Sequence, residues 1–201
     1  MAMSDKTFIE LFGFNYAAAR LSEAVVIIID MQREYLDGSV PLPHLQAAVT
    51  GAAQLIASAH AQKTPVIHVV NKGPDGNLLF NGEGPFYAEL SDIAARDGET
   101  VVIKHLPNSF AGTNLQEIIA RTGRKQLIIA GCTTHVCVSA TARAALDLGY
   151  QSTVVANATT SRDLFDHVGN RIDAEIVKQV ALAELRDAFA VIVESVDDLL
   201  V

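Results

Sequence analysis

The chain has 201 residues, of which 50% are hydrophobic and 19% charged, and its formal net charge is −8. This size and composition suit one globular domain spanning residues 1–201 and exclude a disordered chain. The acidic balance, without any cluster of Lys or Arg, argues against nucleic acid as a partner.

The apolar runs and the N-terminal sequence bear on where the protein works. The longest apolar runs, such as Ala24 to Ile29, are far shorter than the roughly twenty residues of a membrane span. The N-terminal sequence MAMSDKTFIELFGFNY lacks the basic and apolar regions of a signal peptide. Cys132 and Cys137 do not make a secreted disulfide framework. We therefore expect a cytoplasmic protein with two free thiols and no membrane contact.

Strand-length apolar runs alternate along the chain with helix-length amphipathic patterns, which is typical of a parallel sheet with crossover helices. We predict a three-layer α/β/α fold around a doubly wound sheet of six mostly parallel strands. The predicted strands are Ala24–Ile29, Val66–Val70, Thr100–Ile103, Gln126–Ala130, Gln151–Ala156 and Phe189–Val193. The predicted helices are His44–Gln62, Asn114–Thr122, Thr134–Leu148 and Asn170–Arg186.

One long loop is predicted between Asn71 and Gly84, where the sequence NKGPDGNLLFNGEG shows no regular periodicity. It leaves the carboxyl end of a predicted strand, the edge at which open α/β sheets bind ligands. The loop is therefore either a wall or lid of a binding site or a plain surface connection.

Three chemically complementary side chains follow three different predicted strands. Asp30 ends the first apolar run in VVIIIDMQREY, Lys104 ends the third in VVIKHLPNSF, and Cys137 follows the fourth across a turn in GCTTHVCV. The carboxyl ends of parallel strands share one rim, so an acid, an ammonium and a thiol are expected to meet there. Cys137 also lies in the first turn of a predicted helix, where we expect a stabilised, low-pKa thiolate.

Each of these groups has a role in attack on an amide or imine carbon. Asp30 takes the thiol proton and later hands it to the leaving amine, and Lys104 keeps both partners charged. The backbone N–H groups of Thr133 and Cys137 are candidates for the oxyanion hole. Further residues near the strand ends are candidates for substrate contact: Gln32, Tyr35, Asn71 and Phe110.

The cysteines also permit other interpretations. His135 and the two cysteines form C-x-x-H-x-C, but this spacing, even with His105 added, matches no common zinc framework, so we expect neither metal nor cofactor. A redox role would use a reversible Cys132–Cys137 disulfide, although the C-x-x-C spacing of oxidoreductases is missing. A catalytically silent binding or assembly module remains a further alternative.

The segments IIIDMQREY, VIKHLPNSFAGTNL and IIAGCTTHVCVSATARAALDLGY resemble, in this order and spacing, the isochorismatase-like cysteine hydrolases. This family includes nicotinamidases, N-carbamoylsarcosine amidohydrolase and hydrolases of ureido compounds. The resemblance implies an Asp–Lys–Cys triad, which falls on Asp30, Lys104 and Cys137, and a homo-oligomer, either dimer or tetramer. It also implies a cis peptide between Cys132 and Thr133.

Departures from the family patterns narrow the range of expected substrates. Members that act on isochorismate lack the thiol, so Cys137 favours the covalent branch. The Asp-x-His-Pro metal motif of nicotinamidases has no counterpart in VIHVVNKGPDG, which argues against zinc and against nicotinamide. The expected activity is hydrolysis of a C–N bond in a small amide, carbamoyl or ureido compound.

Overall fold

The computed structural model describes residues 5–199 and contains eight strands within them. They are β1 (Ala24–Ile29), β2 (Val66–Asn71), β3 (Thr100–Lys104), β4 (Gln126–Cys132), β5 (Gln151–Thr160), β6 (Leu164–Phe165), β7 (Arg171–Ile172) and β8 (Ala190–Val193). The central sheet has the order β3-β2-β1-β4-β5-β8, and every neighbouring pair is parallel. Strands β6 and β7 form a separate antiparallel hairpin.

The helices cover both faces of the sheet. They are α1 (Phe8–Leu11), α2 (Leu45–Ala61), α3 (Leu115–Arg121), α4 (Ser139–Asp147) and α5 (Ala174–Ala188). The apolar face of α2 packs in one core, and α3, α4 and α5 contribute to a second core on the opposite side of the sheet. The predicted three-layer, doubly wound fold is therefore confirmed.

Strand β1 is buried along its whole length because both of its faces are covered. Val26 and Ile28 belong to the core that includes α2, and Ile27 and Ile29 to the core on the other side. Burying an aliphatic side chain of this size contributes about 1.5–3 kcal/mol. The continuous apolar run thus places β1 in the middle of the sheet and fixes the point at which it ends.

The chain winds from β1 outward to β2 and β3, and then returns to β4 on the other side of β1. The carboxyl ends of β1 and β4 therefore form the topological switch point, where doubly wound sheets open a crevice. Gly131 permits the close approach of these strands, because a Cβ there would lie 2.1 Å from the Ile29 carbonyl oxygen. Its φ of +138° also favours glycine.

Two predicted boundaries differ from the structure in ways that matter for the site. Strand β5 continues to Thr160, beyond the predicted end at Ala156. The helix predicted from Asn170 begins at Ala174, because Asp173 caps it by accepting the Glu175 N–H at 2.9 Å. The preceding Arg171 belongs to β7 and pairs with Asp163 at 2.7 Å. Across residues 5–199, no helix is both long and apolar enough to traverse a bilayer.

Candidate active site

The structure brings Asp30, Lys104 and Cys137 together at the carboxyl edge of the sheet. Lys104 Nζ lies 2.7 Å from Asp30 Oδ2 and 3.4 Å from Cys137 Sγ. The Lys104 and Asp30 side chains are completely buried, and Cys137 is 5% exposed. The ammonium also donates to the Leu106 carbonyl at 3.1 Å. The ammonium of Lys104 is therefore in direct contact with both the carboxyl group of Asp30 and the thiol of Cys137, in a site shielded from water.

Burial dominates the electrostatics of this cluster. It raises the pKa of Asp30 above its ordinary value, and the Lys104 ammonium opposes the rise. Burial and the Asp30 carboxylate together raise the pKa of Cys137 to about 12, again against the effect of Lys104. The expectation of a low-pKa thiolate is therefore wrong, because desolvation outweighs the helix start and the ammonium. At neutral pH the Cys137 side chain is therefore a protonated thiol, beside the Lys104–Asp30 contact.

Asp30 is held in an unusual backbone conformation. Its φ is +50°, in the left-handed region that non-glycine residues visit at a cost of about 1–3 kcal/mol, with Asp among the most tolerant. Its N–H donates to the Val69 carbonyl at 2.8 Å, and its carbonyl accepts from Gln32 N–H at 2.9 Å. The chain therefore turns immediately after β1, at the residue that contacts Lys104.

Cys137 lies in a π-helical turn, Thr134–Val138, that precedes α4. The helix predicted as one piece from Thr134 is thus divided, and π-turns of this kind are frequent at functional sites. The Thr133 carbonyl accepts from both the Val136 and Val138 N–H groups, at 3.1 and 3.2 Å. The peptide bond between Cys132 and Thr133 is cis, as the family resemblance implies.

A cavity of about 420 Å³ opens beside Cys137, within the range of small-molecule sites. Its wall is largely apolar, with contributions from Val40, Leu79, Phe80, Leu106, Pro107, Val136 and Leu164. Its polar members are Tyr35, Asn71, His105, Thr133, His135 and Arg162. The loop predicted between Asn71 and Gly84 thus forms part of the cavity wall.

The four candidate substrate contacts divide into two pairs. Tyr35 and Asn71 lie on the cavity wall, as expected. Gln32 is fully buried and lies away from it, because its side-chain amide bonds the Asn71 N–H at 2.8 Å and the Tyr87 carbonyl at 2.8 Å. Phe110 instead stacks on Tyr150 with ring centroids 6.0 Å apart. The placement expected for these two residues is therefore corrected: Gln32 anchors neighbouring loops through its amide, and Phe110 packs against Tyr150.

Apart from Thr133, a predicted oxyanion donor, three polar residues of the wall were not among the predicted contacts. Arg162 follows β5 and escaped notice because that strand was predicted to end at Ala156 instead of Thr160. For His105 and His135 the sequence suggests only the role of possible zinc ligands. His135 Nδ1 lies 3.2 Å from Ser161 Oγ, and burial, aided by the nearby Arg162, lowers the pKa of His135.

Cys132 is the last residue of β4 and is fully buried. Burial and the adjacent Asp30 raise the pKa of its thiol strongly. Both cysteines are free thiols. Within the described range of residues 5–199, no three His, Cys, Asp or Glu side chains are grouped so that they could hold a metal ion.

Comparison with sequence models of known protein families identifies the family to which this chain belongs. A sequence model of the isochorismatase domain matches residues 24–196, which include all of the sheet and the Asp30–Lys104–Cys137 cluster. The chain belongs to the isochorismatase family. The resemblance inferred from the sequence motifs is thereby confirmed, and the relatives of this chain include amidohydrolases.

The similarity extends over nearly the whole chain. The secreted isochorismatase effector Isc1 of Verticillium dahliae is 36% identical over 192 residues, which cover 95% of this chain and 98% of that protein. A maleamate amidohydrolase of Pseudomonas putida is 28% identical, with 80% and 86% of the two chains covered. The crystal structure of an isochorismatase from Pseudomonas putida superposes with a TM-score of 0.92 at 36% identity, covering 97% of this chain and 99% of that one.

For this isochorismatase-family hydrolase, the switch point explains why the site forms where it does. Asp30 follows β1, and Cys137 follows β4, the two strands that flank the switch. Lys104 comes from β3, which is separated from β1 by β2, and its long side chain spans the distance to Asp30. Each side chain is thus fixed by a buried strand end or a helical turn, which gives the site a rigid base.

Proposed function

We propose that this isochorismatase-family member hydrolyses a C–N bond of a small amide, carbamoyl or ureido compound, with Cys137 as the nucleophile. The observation that carries the proposal is the buried contact of Lys104 with both Asp30, at 2.7 Å, and Cys137, at 3.4 Å, beside the cavity. The maleamate amidohydrolase among its relatives supports amide chemistry.

The raised pKa of Cys137 shapes the first step. The free site holds a protonated thiol, so attack must be coupled to proton transfer. Asp30 takes the thiol proton as the sulfur bonds to the carbonyl carbon, and the carbonyl oxygen becomes an oxyanion. Lys104 stabilises the negative charge as it moves from the Asp30 carboxylate, by way of the attacking sulfur, to the carbonyl oxygen. Burial strengthens each of these interactions because water does not screen them.

The remaining steps return the site to its starting state. Asp30 gives its proton to the nitrogen, the C–N bond breaks, and ammonia or an amine leaves a thioester on Cys137. Asp30 then removes a proton from the water that attacks the thioester carbon, and it gives that proton to the Cys137 sulfur as the sulfur leaves. The N–H groups of Thr133 and Cys137 are the proposed oxyanion donors in both halves.

Arg162 places a cation on the wall of an otherwise largely apolar cavity. A guanidinium suits a planar carboxylate, which it holds with two parallel hydrogen bonds. Maleamate, the substrate named for one relative, carries both an amide and a carboxylate, which supports an acidic amide as the first compound to test.

A panel of compounds tests the proposal. The purified protein is incubated with maleamate, with neutral amides of similar size, and with carbamoyl and ureido acids, and ammonia release is measured. We expect release from at least one amide or ureido acid. Absence of release from the whole panel, with a folded protein, would count against C–N hydrolysis.

Two relatives favour a second candidate, the hydrolysis of isochorismate, because they are named isochorismatases at 36% identity. That reaction cleaves a vinyl ether by acid catalysis and needs no thiol, whereas Cys137 in contact with Lys104 favours the covalent route. Isochorismate belongs in the same panel, where pyruvate formation reports its cleavage. A silent binding module would act on none of these compounds.

Location and assembly remain part of the proposal. We propose a cytoplasmic homo-oligomer, a dimer or a tetramer, that acts on a small molecule without metal or cofactor. One relative is described as secreted, so fractionation of the native cells is the appropriate check on location.

A further inference from the structure

Glu34 is a buried carboxylate that belongs to neither the Asp30–Lys104 pair nor the cavity surface. It lies in the 3₁₀ turn Arg33–Tyr35, four residues after Asp30, and is only 2% exposed. Across residues 5–199 it forms no ion pair. A carboxylate in such surroundings is costly unless its oxygens are hydrogen-bonded.

Two backbone N–H groups satisfy this carboxylate, and they come from separate segments. Oε1 accepts from the Ser39 N–H at 2.7 Å, and Oε2 accepts from the Phe80 N–H at 3.1 Å. Ser39 adjoins Val40, a residue of the cavity wall, and Phe80 lies on that wall itself. One side chain therefore ties together two wall segments that are distant in sequence.

The surrounding contacts show that these two segments depend on the position of Glu34. The ring of Phe80 meets Tyr35 edge to face, with centroids 5.3 Å apart, and both residues line the cavity. Phe80 has a φ of +53°, a strained conformation for an aromatic residue that its surroundings must enforce. Gly38 allows the chain to close over Glu34, because a Cβ there would lie 2.6 Å from the Glu34 Cα.

We infer that Glu34 is a positioning residue that fixes the apolar wall of the substrate cavity, and so sets which substrates fit. It acts through the Ser39 and Phe80 amides and not on the reacting atoms. Gln32 has a similar positioning role at the start of the loop from Asn71 to Gly84, which contains Phe80. Its side-chain oxygen accepts the Asn71 N–H at 2.8 Å. The inference rests on the proposed function only in treating the cavity as the substrate site.

The informative change is Glu34→Gln, which keeps the size and shape of the side chain. A glutamine oxygen accepts one N–H, but its NH₂ group then faces the other donor. Losing a buried hydrogen bond in this way is expected to speed amide exchange at Ser39 or Phe80 by about tenfold or more. Hydrogen exchange followed by NMR measures this without any turnover, so a failed substrate panel leaves the test intact.

Alkylation of Cys137 reports the effect on the cavity. Iodoacetamide is small, whereas N-benzyliodoacetamide must fit its ring against the wall. In Glu34→Gln we expect the rate ratio of the larger to the smaller reagent to change about tenfold, while the iodoacetamide rate stays within about twofold of wild type. The matched control is Asp37→Asn, which alters an exposed carboxylate that follows the same turn and pairs with Arg33; both rates should match wild type.

Several outcomes would overturn the inference. They are unchanged exchange at both amides in Glu34→Gln, an unchanged reagent ratio, or an equal change in both alkylation rates. If Glu34→Gln does not fold, Phe80→Ala and the wild-type protein decide the matter. Phe80→Ala should change the ratio in the same direction, and wild-type Ser39 and Phe80 amides should be protected from exchange; failure of either result contradicts the assigned role.

Discussion

Lys104 Nζ lies 2.7 Å from Asp30 Oδ2, and neither side chain is exposed to solvent. The two charges of such a buried ion pair stabilise each other, because either charge alone would be energetically unfavourable in the protein interior. The Asp30 carboxylate also interacts with the Cys137 thiol, so the same pair that must be stabilised supplies the proposed base. Stability and chemistry are therefore linked in this site.

Removal of Lys104 alone should be strongly destabilising. In Lys104→Met the Asp30 carboxylate loses its buried partner, and we expect the free energy of unfolding to fall by about 3–5 kcal/mol. Urea denaturation measures the change. Adding Asp30→Asn to this variant should recover much of the loss, because no buried charge then remains. A double variant as unstable as Lys104→Met would show that the lysine acts mainly through packing.

The acid limb of the pH–activity profile should reflect Asp30. Burial raises the pKa of this carboxyl above the ordinary value of 3.8, and the proposed mechanism needs its ionised form. We therefore expect kcat/KM to fall as the pH is lowered, with a midpoint above 3.8. A profile that stays flat down to the ordinary range of an exposed aspartate would contradict a buried base at this position.

The reactivity of Cys137 should also depend on pH. Because burial and Asp30 raise the pKa of this thiol to about 12, its thiolate fraction rises about tenfold per pH unit across the accessible range. The iodoacetamide rate, assigned to Cys137 by peptide mass spectrometry, should still be climbing at pH 10. A free cysteine measured in parallel levels off near its own pKa. A plateau for Cys137 below neutral pH would indicate a thiolate in the resting site.

Glu99 and the groups that form hydrogen bonds to it should contribute to the pH dependence of the stability in acid. Burial opposes ionisation of Glu99, but the Arg96 N–H at 2.8 Å and the His60 ring at 2.6 Å prevail and lower its pKa below 4.5. A carboxyl group whose pKa is lower in the folded state than in the unfolded state stabilises the fold at pH values above its unfolded-state pKa. This contribution disappears as the pH falls below 4.5.

The test of this prediction compares wild type with Glu99→Gln by denaturant unfolding. Wild type should lose part of its stability as the pH drops from neutral to below 4.5, and the variant should lose less over the same interval because the titrating carboxyl is gone. An identical pH dependence in both proteins would remove Glu99 as a source of the acid sensitivity.

The features that could be predicted from the sequence are those set by local pattern. The continuous apolar run of β1 requires burial on both faces, and so predicts a central strand and a turn at Asp30. The same reasoning applied to the ends of β3 and β4 brought Lys104 and Cys137 to one rim. The family motifs added the cis peptide after Cys132.

The features that escaped prediction depend on distant contacts. The pKa of Cys137 is set by how deeply the π-helical turn is buried and by the approach of Asp30, neither of which is written in the local sequence. Gln32 was expected on the cavity wall, but its amide is used by Asn71 and Tyr87, far along the chain. Arg162 became visible only once β5 was found to extend to Thr160.

The most direct test of the account is turnover by Cys137→Ala, measured on whichever compound of the panel wild type hydrolyses. Loss of the nucleophile should lower kcat by at least about 10³-fold while circular dichroism and the unfolding midpoint show a folded protein. Cys132→Ala, which removes the buried neighbouring thiol, should keep most of the activity. Turnover by Cys137→Ala within about tenfold of wild type would contradict a covalent mechanism on this residue.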